Sequence, residues 1–358
     1  MFLIFTIFIS SSLLSTVVAV PMININGTNF YGYTNKTKYG AVDKFFSIPY
    51  TLSPIRDRRF RLPFSIIYAE KSTYNASRSG PRYSTSIRRL LVSHLFYPHG
   101  RLPKDYSRAL DIVAPGNITS DAKFSVVVWL TGGAFEPYGP LFSDKGKHIV
   151  DRSLALGKPI IYVTINYRTS VFGFLGGKEV KAAKVGNIGL HDRIRTRRIK
   201  RSVHALRSTD SNRDINQGQA YYDKLVLEVG CRLTLNTLNC LRRVDSQLLR
   251  RSMMASPALF SYKPLDHPWN PAVDGVLFKE DPYTLVEKGA IADVPIVIGS
   301  CDDEGTDSMF TLPSLNITNR NDDELKAYIQ TIFSSISSDE VQHVMEEYPE
   351  DPAKGHFD

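Results

Sequence analysis

The sequence predicts an α/β fold, with a mostly parallel central sheet flanked by helices. Three observations predict it. First, three runs are predominantly apolar: Phe124–Trp129, Pro159–Ile165 and Val294–Ile298. A strand buried on both faces reads that way, whereas a strand with one wet face alternates. Second, each run ends in turn-forming residues, namely Gly132-Gly133, Asn166-Tyr167-Arg168 and Gly299-Ser300. Third, Tyr221 to Val229, Leu325 to Phe333 and Asp339 to Tyr348 carry apolar residues at helical spacing. Strands that alternate with helices imply a doubly wound sheet, and sites in such sheets form at the carboxyl ends of the strands.

The chain has 358 residues, 42% of them hydrophobic and 22% charged, which is ordinary globular composition. Residues 1–19 open with Phe2-Leu3-Ile4-Phe5 and close on Val17-Val18-Ala19, small residues that suit a signal-peptidase cut. The reading is a cleaved signal peptide over 1–19; the alternative is an uncleaved anchor. No other run is long and apolar enough to span a bilayer. Sequons begin at Asn26, Asn35, Asn75, Asn117 and Asn316. Together with the leader they predict a secreted, N-glycosylated protein, free or associated with the cell surface.

Segment 66–110 is rich in Ser, Arg and Tyr and reads as long loops with short strands. Cys231 and Cys240 lie close enough to close a short disulfide loop in an oxidising compartment. Cys301, preceded by an apolar run, reads as buried. The net charge is +8, and seven cations (Arg193, Arg195, Arg197, Arg198, Lys200, Arg201 and Arg207) share one stretch with no acid between them. Taking those seven away leaves +1, so the basicity is local. The stretch reads as a solvated helix face rather than a polyanion site, and the secretory start argues against nucleic acid. There is no repeat, low-complexity tract or linker, so residues 20–358 read as a single domain.

Several short motifs follow one another in a fixed order. They are Phe45-Phe46-Ser47-Ile48-Pro49-Tyr50, Arg59-Phe60-Arg61-Leu62-Pro63 and Leu110-Asp111-Ile112-Val113-Ala114-Pro115. Next come Val128-Trp129-Leu130-Thr131-Gly132-Gly133-Ala134-Phe135, Asn166-Tyr167-Arg168 and Gly186-Asn187-Ile188-Gly189-Leu190-His191-Asp192. The last are Gly230-Cys231 with Cys240-Leu241-Arg242, Pro271-Ala272-Val273-Asp274-Gly275 and Asp303-Glu304-Gly305. Any one of these is common, but the whole order resembles the type-B carboxylesterase and cholinesterase family, a group of α/β-hydrolases.

The resemblance implies serine-dependent hydrolysis of carboxylic esters, with an ester as the substrate partner. It makes Glu304 the acid that orients the base. It makes Gly132, Gly133 and Ala134 the oxyanion loop, with a glycine of the family pattern replaced by Ala134.

The departures bear on chemistry. The family's G-x-S-x-G turn sets a serine oxygen at the top of the sheet, and no G-x-S-x-G occurs in the chain. Between the motif that ends in Gly189-Leu190 and the pair Gly230-Cys231, the expected strand, turn and helix are missing. The family's early cysteine pair is absent, with Tyr83, Tyr106 and Ser107 in its neighbourhood. The family's histidine lies downstream of residue 358, and His356 sits too near Glu304 to replace it.

The expectation is therefore a fold lacking the nucleophile strand and the C-terminal portion, inactive as written, as from a truncated or mis-spliced esterase. The alternatives are a non-catalytic adhesion protein resembling neuroligins and glutactins, with a cell-surface protein partner, or a small-molecule binder. No H-E-x-x-H, paired C-x-x-C or tight Asp/Glu/His cluster occurs, so neither metal nor cofactor is expected.

Overall fold

The computed structural model describes residues 20–78, 108–119, 122–132, 135, 145–194, 214–257, 268–290, 293, 295, 321–333 and 336–348. Eight strands lie in this part: β1 Met22–Ile25, β2 Thr28–Tyr31, β3 Tyr33–Lys36, β4 Ala41–Pro49, β5 Thr73–Asn75, β6 Ala109–Pro115, β7 Ser125–Leu130 and β8 Ile160–Ile165. They form a small sheet in the order β1-β2-β5 and a central sheet in the order β3-β4-β6-β8-β7.

The chain enters through a tight hairpin. Asn26 and Gly27 both have positive φ between β1 and β2, the backbone geometry that a two-residue hairpin loop favours. Phe30 on β2 is fully buried against Phe45, Ile48 and Ala76. In the central sheet β3, β4, β6 and β8 pair antiparallel, and β8 pairs parallel with β7, Val128 opposite Val163. The expectation of a mostly parallel sheet thus meets a mixed one, with one parallel pairing among the described residues. The N-terminal motif around Phe45 to Tyr50 supplies an antiparallel strand that apolar runs alone do not reveal.

Helix α1, Lys145–Ala155, covers one face of this sheet. Val150 packs with Val42, Val113 and Tyr162. Gly146 makes the approach possible, since a Cβ there would lie 2.5 Å from the Tyr162 ring. The other helices in this half are short: α2 Ser170–Phe174, α3 Lys178–Ala182 and α4 Ile188–Ile194. Further along come α5 Gln219–Glu228, α6 Thr237–Arg243, α7 Ser246–Met254 and α8 Pro282–Glu287. The last two, α9 Asp322–Ile332 and α10 Ser338–Glu347, lie within a few residues of the stretches read as helical. Their ends follow local chemistry: Asn321 caps α9, and Ser337 with Glu340 forms a capping box on α10.

The largest core is helical. Phe60, Val171, Phe174, Ile188, Ile215, Tyr222, Leu225, Leu238, Leu241, Leu249 and Trp269 are buried together. Cys231 and Cys240 are joined across the start of α6, with Cα atoms 5.8 Å apart. Arg59 ties this core to the N-terminal region. Its Nη1 donates to the carbonyls of Leu241 and Val244 at 3.1 and 2.6 Å, satisfying acceptors at the C-terminal end of α6. Arg242 answers by donating to the carbonyls of Arg59 and Phe60.

One expectation fails in detail. The apolar run ending at Trp129 predicts a buried strand, yet Val126, Val127 and Trp129 on β7 are 54%, 40% and 40% exposed. The reason is position: among the described residues β7 is the last strand and has β8 alone beside it. The apolar run Val294–Ile298, apart from Pro295, lies outside the described residues.

Candidate functional site

Strands β7 and β8 run parallel, so their carboxyl ends and the loops that follow lie side by side. The loop after β7 carries Gly132, which has open space around its Cα. Gly133 and Ala134, the rest of the expected oxyanion loop, lie outside the described residues. The two flanks of that loop are nonetheless fixed. The Tyr167 hydroxyl donates to the Thr131 carbonyl at 3.0 Å. The Ser170 amide donates to the Phe135 carbonyl at 2.6 Å. Phe135 is buried, with its ring 4.9 Å from that of Phe174 in an edge-on contact. The segment after β8 thus grips the loop after β7 on both sides.

Beneath these loops lies a charged cluster. Asp192, at the buried face of α4, is fully inaccessible. One of its oxygens accepts from Arg108 Nη1 at 2.6 Å and from Arg168 Nη2 at 2.9 Å. The other accepts from Arg168 Nε at 2.8 Å and from the Arg168 amide at 3.1 Å. The Arg168 guanidinium faces the carboxylate as a fork, the strongest pairing geometry open to the two groups. Gly189 allows α4 to come this close, since a Cβ there would lie 2.3 Å from the Arg168 carbonyl oxygen. Arg108 also donates to the Leu52 carbonyl and Arg168 to the Arg61 carbonyl. The carboxylate therefore joins α4 to the segments at Arg108 and Arg168, and the two arginines reach on to the carbonyls of Leu52 and Arg61.

The surrounding groups are held in one protonation state. Burial, reinforced by Asp192, pushes the Tyr50 phenol well above its ordinary value, and its hydroxyl donates to the Asn166 carbonyl. Burial also raises Tyr167, while Arg193, whose guanidinium stacks 3.7 Å from the Tyr167 ring centre, opposes that shift. Burial lowers Arg108, and Asp192 pulls it back. These phenols act as neutral donors with their protons committed to carbonyl oxygens. The cluster positions the loops.

Glu304 and the sequon at Asn316 lie outside the described residues, as do Tyr83, Tyr106, Ser107, Cys301 and most of the basic run. Asn26, Asn75 and Asn117 are exposed, and Asn35 is half-buried on β3. The described residues hold no group of three His, Cys, Asp or Glu arranged to bind a metal ion. No helix among them is long and apolar enough to cross a membrane. A shallow, solvent-open cleft touches Phe174, Leu175, Asn187, Asp214 and Ala272. Its polar walls are already engaged: Asn187 exchanges two hydrogen bonds with the Ala272 backbone, and Asp214 pairs with Lys181 at 3.1 Å.

Sequence reasoning missed the Asp192 cluster as a unit. Its signal was present in two motifs, where Arg168 and Asp192 stand as charged residues among apolar and turn-forming neighbours.

The model of a family described as the carboxylesterase family matches residues 17–196 and 195–356. Among curated proteins the chain is similar to Secreted lipase 1 of Botryotinia fuckeliana (strain B05.10), at 27% identity over 377 residues, covering 88% of this chain and 65% of the relative. It is also similar to the inactive carboxylesterase-like protein VdtD of Byssochlamys spectabilis, at 26% identity over 373 residues, covering 87% and 60%. Among solved structures it resembles EstA of Aspergillus niger with a TM-score of 0.71 at 20% identity, covering 93% of this chain and 68% of that one. That likeness shows an α/β-hydrolase fold.

Proposed function

The chain belongs to the carboxylesterase family, and on that premise we propose that it is a secreted member that does not hydrolyse esters in the form encoded here. One observation carries the proposal: the 358 residues contain no G-x-S-x-G. Acyl transfer needs an attacking oxygen, a base that takes its proton and donors for the oxyanion. The phenols of Tyr50 and Tyr167 beside these loops do not substitute, because burial raises both above their ordinary value and each donates its proton to a carbonyl.

A relative whose own name calls it inactive adds support. The leader over 1–19, the exposed Asn26, Asn75 and Asn117, and a relative named as a secreted lipase support an extracellular location. Glu304 and the loop Gly132-Gly133-Ala134 are then vestiges of an oriented base and an oxyanion site. The cleft beside Asn187 gives the small-molecule alternative little support, because it is shallow and its Asn187 and Asp214 side chains are already paired with Ala272 and Lys181.

The test is turnover of a nitrophenyl ester together with labelling by a fluorophosphonate probe, both on the purified chain. We expect hydrolysis at the buffer rate and no labelled protein. Hydrolysis that an organophosphate blocks overturns the proposal. Sequencing the transcript across the codons for residues 190–230 then separates an incomplete esterase, which recovers a G-x-S-x-G exon, from an established non-catalytic form.

A further inference from the structure

The loop closed by the disulfide carries two leucines that touch almost nothing. Leu233 is 97% exposed and Leu235 110% exposed. Their neighbours behave in the opposite way: Leu238 and Leu241 on α6 are buried in the main core. The loop is not a loose excursion. The disulfide pins both of its ends, and Cys231 is fully buried. Inside it, the Thr234 hydroxyl and amide both donate to the Cys231 carbonyl, at 2.8 and 3.2 Å. The Asn236 side chain accepts from the Asn239 amide at 2.8 Å and caps α6. Two apolar side chains are therefore held outward on a fixed, convex tip.

Cations outnumber acids around this tip. Between residues 223 and 254 the cations are Lys224, Arg232, Arg242, Arg243, Arg250 and Arg251, and the acids are Asp223, Glu228 and Asp245; Arg242 is buried and Arg243 faces Asp57 at 3.6 Å. Arg232, Arg243 and Arg251 are exposed. Glu228 is already engaged by Ser252 and Lys224. Arg232, next to Leu233, makes no ion pair among the described residues.

We propose that the Cys231–Cys240 loop docks this protein onto the surface of an anionic phospholipid bilayer. Leu233 and Leu235 enter the boundary between headgroups and acyl chains, and Arg232 and its neighbours pair with lipid phosphates. Apolar insertion and basic attraction are the two signals that peripheral membrane binding combines. The convex tip favours a bilayer over a protein. A stable protein interface buries roughly 1,200 Å² or more around a packed centre, and two leucines on a narrow loop do not supply one. Because the disulfide and the cap already fix the loop, little ordering is lost on docking. The inference does not depend on whether the chain hydrolyses esters.

The test is sedimentation of the full chain with vesicles of phosphatidylcholine alone and of phosphatidylcholine with phosphatidylserine. Binding should be seen with the anionic vesicles and fall as salt is raised. The double variant Leu233→Ser/Leu235→Ser should bind about a hundredfold more weakly, because burying each leucine is worth about a factor of ten or more and the two factors multiply. Arg232→Gln should weaken binding to the anionic vesicles. Both variants should keep the parent's thermal midpoint, since neither alters a buried side chain. Equal binding to both vesicle types, or no binding to either, overturns the proposal. So does undiminished binding by the leucine variant, which would assign the contact to another part of the chain such as residues 1–19. Self-association that the leucine variant abolishes, without vesicle binding, also overturns it and makes the loop a protein contact.

Discussion

Replacing Asp192 by Asn should destabilise the fold by about 3–5 kcal/mol, the usual cost of removing one partner from a buried ion pair. The structure sets the size of the effect. The side chain is fully buried and accepts four hydrogen bonds, three of them from Arg168 and one from Arg108. Asn keeps the shape but removes the negative charge, leaving two buried guanidinium groups without a counterion. It also turns one acceptor into a donor aimed at other donors. Total stability for a domain is about 5–15 kcal/mol, so the loss is a large share. Urea unfolding followed by the fluorescence of Trp129 and Trp269 reads it as a lowered midpoint at unchanged slope. The single variants should rank by the bonds they remove, with Arg168→Met worse than Arg108→Met. A midpoint shift for Asp192→Asn worth under about 1 kcal/mol would refute the claim that this carboxylate holds α4 to the segments at Arg108 and Arg168.

Two further outcomes follow from features described above. Reducing the Cys231–Cys240 bond, or replacing both cysteines by Ala, should lower stability by about 2–3 kcal/mol, the loop-closure value for a bridge spanning nine positions; unchanged unfolding after reduction, with free thiols verified, counts against it. Burial pushes Tyr68 and Tyr222 up to about 12. The unfolded chain ionises its tyrosines near pH 10, so stabilisation that is complete below pH 10 is lost as the pH climbs towards 12. Absorbance titration at high pH should therefore show a late class of phenols that Tyr222→Phe depletes, and a single transition near pH 10 contradicts the burial.

How much was legible in the sequence depended on how each element signals itself. The strands at 125–130 and 160–165 agree with the sequence reading to within a residue or so, because apolar runs that end in glycine or asparagine have few other readings. The helices at 219–228, 322–332 and 338–347 showed through spacing. In the small sheet Met22–Ile25 and Thr28–Tyr31 stayed hidden, since they are short and carry Asn and Thr, residues equally at home in turns, whereas Thr73–Asn75 falls in the segment read as loops with short strands. The exposure of β7 was not legible either: a run such as Val126-Val127-Val128-Trp129 reports what a strand prefers, not whether a neighbour exists to meet it. The Asp192 cluster escaped because a charged residue at a strand or helix end looks like surface until its partners, 24 and 84 positions away, are known. The oxyanion loop was implied by the family resemblance, and of its three residues Gly132 alone is described.

The pairing of Arg59 with the end of α6 sets a timetable for the newborn chain. Its acceptor at Leu241 lies 182 positions later. At the roughly 5–20 residues per second of synthesis, that gap lasts roughly 10–35 s. Throughout that interval the guanidinium has no carbonyls to serve, and Phe60 beside it has no core to enter. Hairpins at the amino end form at once, but the helical half waits until α6 has been made. A ribosome that stalls before residue 240 therefore releases a polypeptide with its longest-range fastener open and an aromatic side chain in water, which is the kind of segment that folding helpers bind.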